Sequence, residues 1–517
     1  MPIKMSVLPK FYKDSVSLMQ TAAALMREGG LSQVSIVMAS PANLALLREA
    51  GLVGREGLDA GANDLVIAVE GEVEADVERA VEKAVALLRA GSKESEEAEG
   101  EGAPVRYGLS AGLALNPEAN LAVIATPGEY AAAEALKAVR QGLNVMLFSD
   151  NVSAADERCI KEEARKRGLL VMGPDCGTAI IDGVPLAFAN VVARGPVGIV
   201  GASGTGIQQI STLVDNLGGG ISHAIGTGGH DLSAEVGGIS MLQGIAMLAD
   251  DPRTEVIVIV SKPPHPEVRE AVIAAAAASG KPVVANFIGP EWNASSDGNI
   301  VFVRTLEDAA VAAMKLATNT EPPVSQLEGA AALPVPGQGR RWIRGVYTGG
   351  TFCYEATSLL GERIGDIHSN TPVRPGEALP DPWQSIGHTL VDMGDDVFTR
   401  GRPHPMIDPS LRLERMRREA MDPETAVVLF DLVLGHGAHP DPASGLAKVI
   451  AESRTGGNGP VFVGFVCGTA RDPQGFEAQK ETLRAAGAIL AQTNVRAVDV
   501  AARLIGTGNV AMQQTTE

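Results

Sequence analysis

The chain has 517 residues, 59 of them glycine, and a formal net charge of −19. That length accommodates about three domains of the usual ~100–200 residues, and the acidity excludes nucleic acid or an anionic membrane as partner, because either repels it. No apolar run reaches the ~18–20 residues of a membrane span, residues 1–10 lack a signal-peptide apolar core, and Cys159, Cys176, Cys353 and Cys467 form no disulfide or zinc pattern, so a soluble cytoplasmic protein is expected.

Short β-branched runs alternate with Ala-rich helical stretches almost throughout, for example at Leu121–Thr126, Asn144–Ser149, Leu169–Gly173, Val197–Gly201, Glu255–Val260, Pro282–Phe287, Val301–Thr305, Thr425–Leu434 and Pro460–Val466. Continuous apolar strands separated by helices predict an α/β fold whose parallel sheets are covered on both faces. Two stretches break the rhythm. Gly91–Gly102 is acidic and reads as a solvated loop or insertion; Thr318–Arg340 is rich in Pro, Gly and Ala and reads as a linker. The expected division is a first domain over 1–193, a second over 194–318, a linker over 319–340 and a third domain over 341–512.

The glycine excess concentrates in strand-to-helix turns. Val197–Val200 runs into Gly201-Ala202-Ser203-Gly204-Thr205-Gly206, and apolar residues then recur at helical spacing from Ile207 to Leu217. A helix N-terminus offers unpaired N–H groups and partial positive charge, and glycines let an anion approach them. Ser203 and Thr205 add hydroxyls, while the Gly-Lys-Ser/Thr ending of a Walker A loop is missing. The plain alternative is a tight turn in which the hydroxyl is an N-cap. Further turns of this kind lie at Gly173–Gly177, at Gly226, Gly228 and Gly229, in Val346–Glu355, and at Gly435 and Gly437.

In order along the chain, these motifs resemble the succinyl-CoA synthetase superfamily. Ala119–Leu316, through Gly173-Pro174-Asp175-Cys176, Ser203-Gly204-Thr205 and Gly226-Thr227-Gly228-Gly229, is similar to the synthetase α subunit. Arg344–Gly506, through Thr348-Gly349-Gly350, Val391-Asp392-Met393-Gly394 and Gly435-His436-Gly437, is similar to the C-terminal domain of the β subunit. The resemblance implies three Rossmann- or flavodoxin-like domains: a CoA-binding-like first domain and two ligase-type domains, with no ATP-grasp domain. It also implies that two helices, those after Thr205 and after Gly437, aim at one phosphate. Phe11–Met19, Gly173–Thr178, Gly201–Ile207, Val236–Ile239, Ser261–Pro264 and Gly401–Pro409 together look like the FdrA family of acyl-CoA synthetase-like proteins.

The chain departs from the ligases at several points. Their phosphorylated histidine has no counterpart in Asn286–Asn299, and Ser261-Lys262 stands where they orient it with a glutamate. Phe11–Met19 has no clear CoA-binding glycine loop. The FdrA resemblance instead implies a subunit of an oxamate carbamoyltransferase of ureide catabolism, converting oxalurate and phosphate to oxamate and carbamoyl phosphate. In this reading phosphate or carbamoyl phosphate is substrate, no cofactor is covalently bound, CoA binding stays open, and further subunits complete a hetero-oligomer. An acyl-CoA ligase subunit and a non-catalytic, anion-sensing scaffold subunit are the alternatives.

The catalytic candidates are Lys262, Ser203, His230 and His436. The anion-binding candidates are Gly201, Ser203, Gly204, Thr205, Gly206, Gly228, Gly229, Gly435 and Gly437. Arg402 and His404, with Arg400 and Asp408 in a Pro-rich loop, could clamp the substrate carboxylate, since Arg binds planar anions bidentately. No metal is expected: Asp392, Asp395 and Asp396 read as a solvated turn, and His436 and His439 lack a third ligand. Cys176 reads as a buried small residue and His265 as a surface one.

Overall fold

The computed structural model describes the chain except for residues 1, 12, 14, 27–29, 41–42, 45–46, 49–50, 53–59, 62–63, 99–107, 290–293, 323–332, 338, 401, 454–458 and 515–517. It falls into two compact units, Met1–Glu118 with Asp396–Asp408, and Ala119–Asp395 with Pro409–Glu517.

The first unit is built on β1 (Ile3–Leu8), α1 (Ser15–Met26), β2 (Leu31–Met38), β3 (Leu65–Gly71), α2 (Glu74–Ala98) and α3 (Leu109–Leu115). Its sheet runs β1-β3-β2, with β3 antiparallel to both neighbours. The β1-α1-β2 crossover leaves a slot between its strands, and β3 fills it, as in a split βαβ motif. Alternate residues of β3 serve two cores: Leu65, Ile67 and Val69 pack with Leu18, Leu25, Val77 and Val81, while Val66 and Ala68 pack with Leu44, Leu47 and Leu52. The expected single Rossmann domain over 1–193 is therefore corrected here, because an antiparallel sheet with its own cores occupies the first part. The loop expected at 91–102 is corrected too. Helix α2 continues to Ala98, through the strong helix formers Lys93, Glu94, Glu96 and Glu97; residues 99–102 lie outside the described residues.

The second unit carries three sheets. A parallel sheet β4-β5-β6 is formed by β4 (Leu121–Ile124), β5 (Asn144–Leu147) and β6 (Val171–Met172), with α4 (Gly128–Arg140) and α5 (Ala154–Lys166) between them. The hairpin β7 (Thr178–Ile181) and β8 (Val184–Ala187) then leaves that sheet and joins the next one, so the sheet boundary precedes the expected division at 193.

That second sheet has eight strands in the order β13-β14-β12-β11-β9-β10-β7-β8. Its parallel centre is β9 (Val197–Gly201), α6 (Gly204–Asn216), β10 (Ile221–Gly226), α7 (Ile239–Asp250), β11 (Val256–Ser261), α8 (Pro266–Ala278) and β12 (Val283–Phe287). The hairpin β13 (Ser295–Asp297) and β14 (Ile300–Phe302) and the helix α9 (Leu306–Thr318) complete it. Part of the expected linker, at 323–332 and 338, lies outside the described residues.

The third sheet is wholly parallel, in the order β16-β17-β15-β18-β19-β20. Its elements are β15 (Trp342–Tyr347), α10 (Gly350–Ile364), β16 (Ile367–Ser369), β17 (His388–Asp392), α11 (Ser410–Met421), β18 (Thr425–Val433), α12 (Pro442–Ser453), β19 (Val461–Cys467), α13 (Phe476–Ala486), β20 (Ile489–Ala491) and α14 (Asn494–Gln514). All nine residues of β18 are buried, as expected of a central parallel strand covered on both faces.

Strand order places the site. The chain leaves β9 for β10 on one side and returns to β11 on the other; it leaves β15 for β16 and β17 on one side and returns to β18 on the other. Both strands are topological switch points, where crevices open at the carboxyl ends of α/β sheets.

Candidate anion site between two switch-point turns

The turn after β9 and the turn after β15 face each other. Ser203 is the N-cap of α6 and accepts from the Gly206 N–H at 3.0 Å. Its Oγ also lies 2.6 Å from Thr351 Oγ1, in the first turn of α10. A Cβ added to Gly349 would lie 2.9 Å from Thr205 Cγ2 and 3.0 Å from its Oγ1, so glycine is required for this approach. Two helix N-termini thus meet, each with first-turn N–H groups that have no acceptor within its helix. The partner of the Ser203 turn is Thr348–Thr351. The helix after Gly437, expected to supply the second N-terminus, begins at Pro442 and makes no hydrogen bond to Ser203 among the described residues.

The Gly435–Gly437 turn has other work. The Gly435 N–H donates to Gln474 Oε1 at 3.0 Å and the His436 N–H to the Ala189 carbonyl at 2.9 Å. A Cβ on Gly435 would sit 2.7 Å from that same carbonyl, and one on Gly437 would sit 2.9 Å from Phe188 Cδ1. These glycines admit the passing chain Ala187–Asn190, and the exposed His436 side chain stands beyond it. Asp472 secures the same junction, accepting from Val191 N–H, Asn190 Nδ2 and Thr469 N–H, each at 2.8 Å.

The Gly226–Gly229 turn is likewise engaged by protein. Gly228, at φ 88°, packs on the Pro174 carbonyl. Lys161 Nζ donates to the Thr227 carbonyl at 2.9 Å and pairs with Asp231 at 2.8 Å and Glu157 at 2.6 Å, all fully buried. Asp231 then accepts from the Ser240 and Met241 N–H groups, capping α7. Burial pushes the Glu157 carboxyl above its ordinary range, against the pull of Lys161. Gly229 and His230 are exposed beside this cluster. Cys176 is buried, and burial pushes its thiol up to about 12.

A third anion-friendly turn is filled from within. Asp431 on β18 accepts from Thr348 N–H at 2.9 Å, Thr348 Oγ1 at 2.7 Å and Gly349 N–H at 3.0 Å, while Arg412 pairs with it at 2.7 Å. The amides of Thr348 and Gly349 are therefore satisfied by the protein's own carboxylate, and α10's first turn from Gly350 onward is what faces the seam.

Lys262, just past β11, is exposed, with Nζ 5.4 Å from the centre of the Tyr354 ring on α10. Asp392 ends β17, where β17 pairs with β15 through Tyr347↔Asp392. Its Oδ1 accepts from the Gly394 N–H at 2.8 Å, and its Oδ2 lies where a Cβ on Gly350 would be. Burial pushes this carboxyl up to about 7, against the opposing charge of Lys262. The structure thus groups Gly201, Ser203, Gly204, Thr205, Gly206 and Lys262 with Thr351 and Asp392. In the sequence Thr351 stands only within a glycine turn and Asp392 only within a family motif and an acidic turn; the parallel Thr-Gly-Gly-Thr and Ser-Gly-Thr-Gly signatures are the available signal.

Arg402 and His404 fall in Asp396–Asp408, which belongs to the first unit. Arg402 is exposed; His404 is partly buried, and its Nδ1 accepts from the Met406 N–H at 3.2 Å. Among the described residues no cluster of three or more His, Cys, Asp or Glu could hold a metal ion, and no helix is long and apolar enough to cross a membrane.

Comparison with known proteins covers nearly the whole chain. The CoA-ligase family matches residues 346–504, the CoA binding domain residues 193–289, and the AllF, heavy metal-associated domain residues 1–104. Residues 1–104 contain neither Cys nor His, so they do not fit a soft metal ion. The protein YahF of Escherichia coli (strain K12) is 40% identical over 526 residues, 99% of this chain and 100% of that protein. The malate–CoA ligase subunit alpha of Methylorubrum extorquens is 26% identical over 35% of this chain and 64% of its own length. Among solved structures, a dinucleotide forming acetyl-coenzyme A synthetase 1 of Ca. Korarchaeum cryptofilum, in complex with phosphate and ADP, is 15% identical with a TM-score of 0.32, over 77% of this chain and 85% of that one.

Proposed function

Because the chain belongs to the FdrA family of acyl-CoA synthetase-like proteins, we propose that it binds phosphate between the α6 and α10 N-termini as one subunit of an oxamate carbamoyltransferase. The reaction is phosphorolysis of oxalurate: phosphate attacks the carbamoyl carbon, giving carbamoyl phosphate and oxamate. The observation that carries this reading is the 2.6 Å contact between Ser203 and Thr351, which brings two glycine-led helix starts to one seam.

The surroundings of each residue support the roles assigned to it. Ser203 Oγ is held by the Gly206 N–H and Thr351, so it sets the spacing of the two helices and is not the nucleophile. The first-turn amides beside Gly204, Thr205 and Gly350, with Lys262, hold phosphate and stabilise the oxyanion of the tetrahedral transition state. Phosphate fixed beside the ureide supplies the proximity term. Asn286–Asn299 carries no histidine to receive a phosphoryl group, which favours phosphate as a direct reactant. His230 and His436 are assigned to exposed positions open to partner subunits, and the complex to the cytoplasm.

A second reading, an acyl-CoA ligase subunit, is favoured by the CoA-ligase and CoA binding matches. One assay separates the two. The chain purified with its natural partner subunits should release carbamoyl phosphate from oxalurate only when phosphate is supplied. ATP- and CoA-dependent activation of a carboxylic acid, without that release, would replace the first reading by the second.

A further inference from the structure

Two carboxylates flank the start of α10, and their surroundings differ. Asp431 is filled by the Thr348 and Gly349 amides, the Thr348 hydroxyl and Arg412. Asp392 accepts one backbone N–H, from Gly394, and forms no ion pair among the described residues. The side chain is buried, and its Oδ2 occupies space that a Cβ on Gly350, the first residue of α10, would need.

We propose that Asp392 is a catalytic residue, the proton carrier of the anion site, taking the proton of monohydrogen phosphate and delivering it to the leaving nitrogen. This rests on the phosphorolysis reading above. That reaction has one proton to move. A phosphate oxygen forms a bond to the carbamoyl carbon, and the carbon–nitrogen bond breaks with its electron pair going to nitrogen. Phosphate enters with one proton and leaves as the unprotonated phosphoryl group of carbamoyl phosphate, while the nitrogen leaves as the NH₂ of oxamate. Three negative charges enter and three leave, so one group that accepts and then donates balances the step.

The charges facing Asp392 suit that duty. Lys262 after β11 favours its ionised form; Asp395 beyond β17 and Asp431 on β18 oppose it, and Cys353 on α10 lies in the same field. Burial pushes its carboxyl up to about 7, near the value at which a proton carrier works best at neutral pH. The N-terminus of α10 pulls the other way, toward the carboxylate, so bound phosphate and Lys262 together set the balance.

The test uses the complete complex with inorganic phosphate and oxalurate. The wild type should show a kcat inflection between pH 6 and 8. Asp392→Asn, which keeps an acceptor for Gly394, should lower kcat by about 10²–10⁴-fold, leave the KM for phosphate unchanged or lower, and abolish the inflection; Asp392→Glu should recover part of kcat. A wild-type profile flat across that range, or an Asp392→Asn enzyme within threefold of wild type, overturns the assignment alone. A wild-type complex with no phosphate-dependent turnover removes the phosphorolysis reading and this assignment with it.

Discussion

Ser203 and Thr351 lie 148 residues apart, yet their hydroxyl oxygens are 2.6 Å from each other and join the first turns of α6 and α10. Ser203 serves its own helix as N-cap at the same time. Losing the hydroxyl therefore removes a local cap and an interdomain tie together. Ser203→Ala should cost about 1–2 kcal/mol from the cap alone. A double-mutant cycle with Thr351→Val, read by chemical denaturation, should show a coupling of at least ~0.5 kcal/mol; additive effects would mean the contact carries no energy.

Gly349 and Gly350 are tied to opposite walls of the seam. Gly349→Ala should push against Thr205, and Gly350→Ala against the Asp392 carboxylate. Both are expected to weaken phosphate binding by tenfold or more in calorimetry. Gly376→Ala, at a position with open space around it, is the control and should bind as wild type.

Lys262 is the exposed cation at the site. Lys262→Ala should raise the KM for phosphate with little change in that for the carboxylate substrate, and the wild-type affinity should fall with added salt. Equal effects on both constants would remove its assignment to phosphate.

The buried Lys161–Glu157–Asp231 cluster holds the Thr227 turn and caps α7. Lys161→Met leaves two carboxylates buried without their cation and should destabilise the protein by about 3–5 kcal/mol. Its unfolding midpoint in urea should fall accordingly.

Glu355 on α10 accepts from the Leu306 N–H at 2.8 Å and Asn494 Nδ2 at 2.8 Å, and burial pushes its carboxyl from 4.5 up to about 7. The folded state therefore binds more protons than the unfolded chain between these values, so stability falls as pH rises through that window. Asp392 adds to the same slope. Thermal melts from pH 4.5 to 7.5 should show the decline, and Glu355→Gln should flatten part of it. A wild-type melting temperature that rises with pH across this window contradicts the prediction.

Much of the architecture was legible because its signals are local. The apolar run Val197–Val200 followed by Gly201–Gly206 and a helical repeat announced a buried parallel strand, a tight turn and a capped helix, and those elements form at Val197–Gly201 and Gly204–Asn216. The first 118 residues misled for a related reason. Leu65–Val69 is as continuously apolar as a parallel strand, and only its insertion between β1 and β2 makes it antiparallel.

The chain's own residues determined the family, the α/β class and the presence of several glycine-rich helix starts. They did not determine which of those starts face one another. Gly228, Gly435 and Gly437 carry the same signature as Gly204, yet they make room for Pro174, Ala189 and Phe188. A glycine records only that something approaches closely; whether it is a ligand or another stretch of backbone is decided by packing between segments far apart in sequence. Asp431 and Asp392 make the same point with charge. Both end or lie on apolar strands, and only the tertiary structure gives Arg412 to the first and the open side of Gly350 to the second.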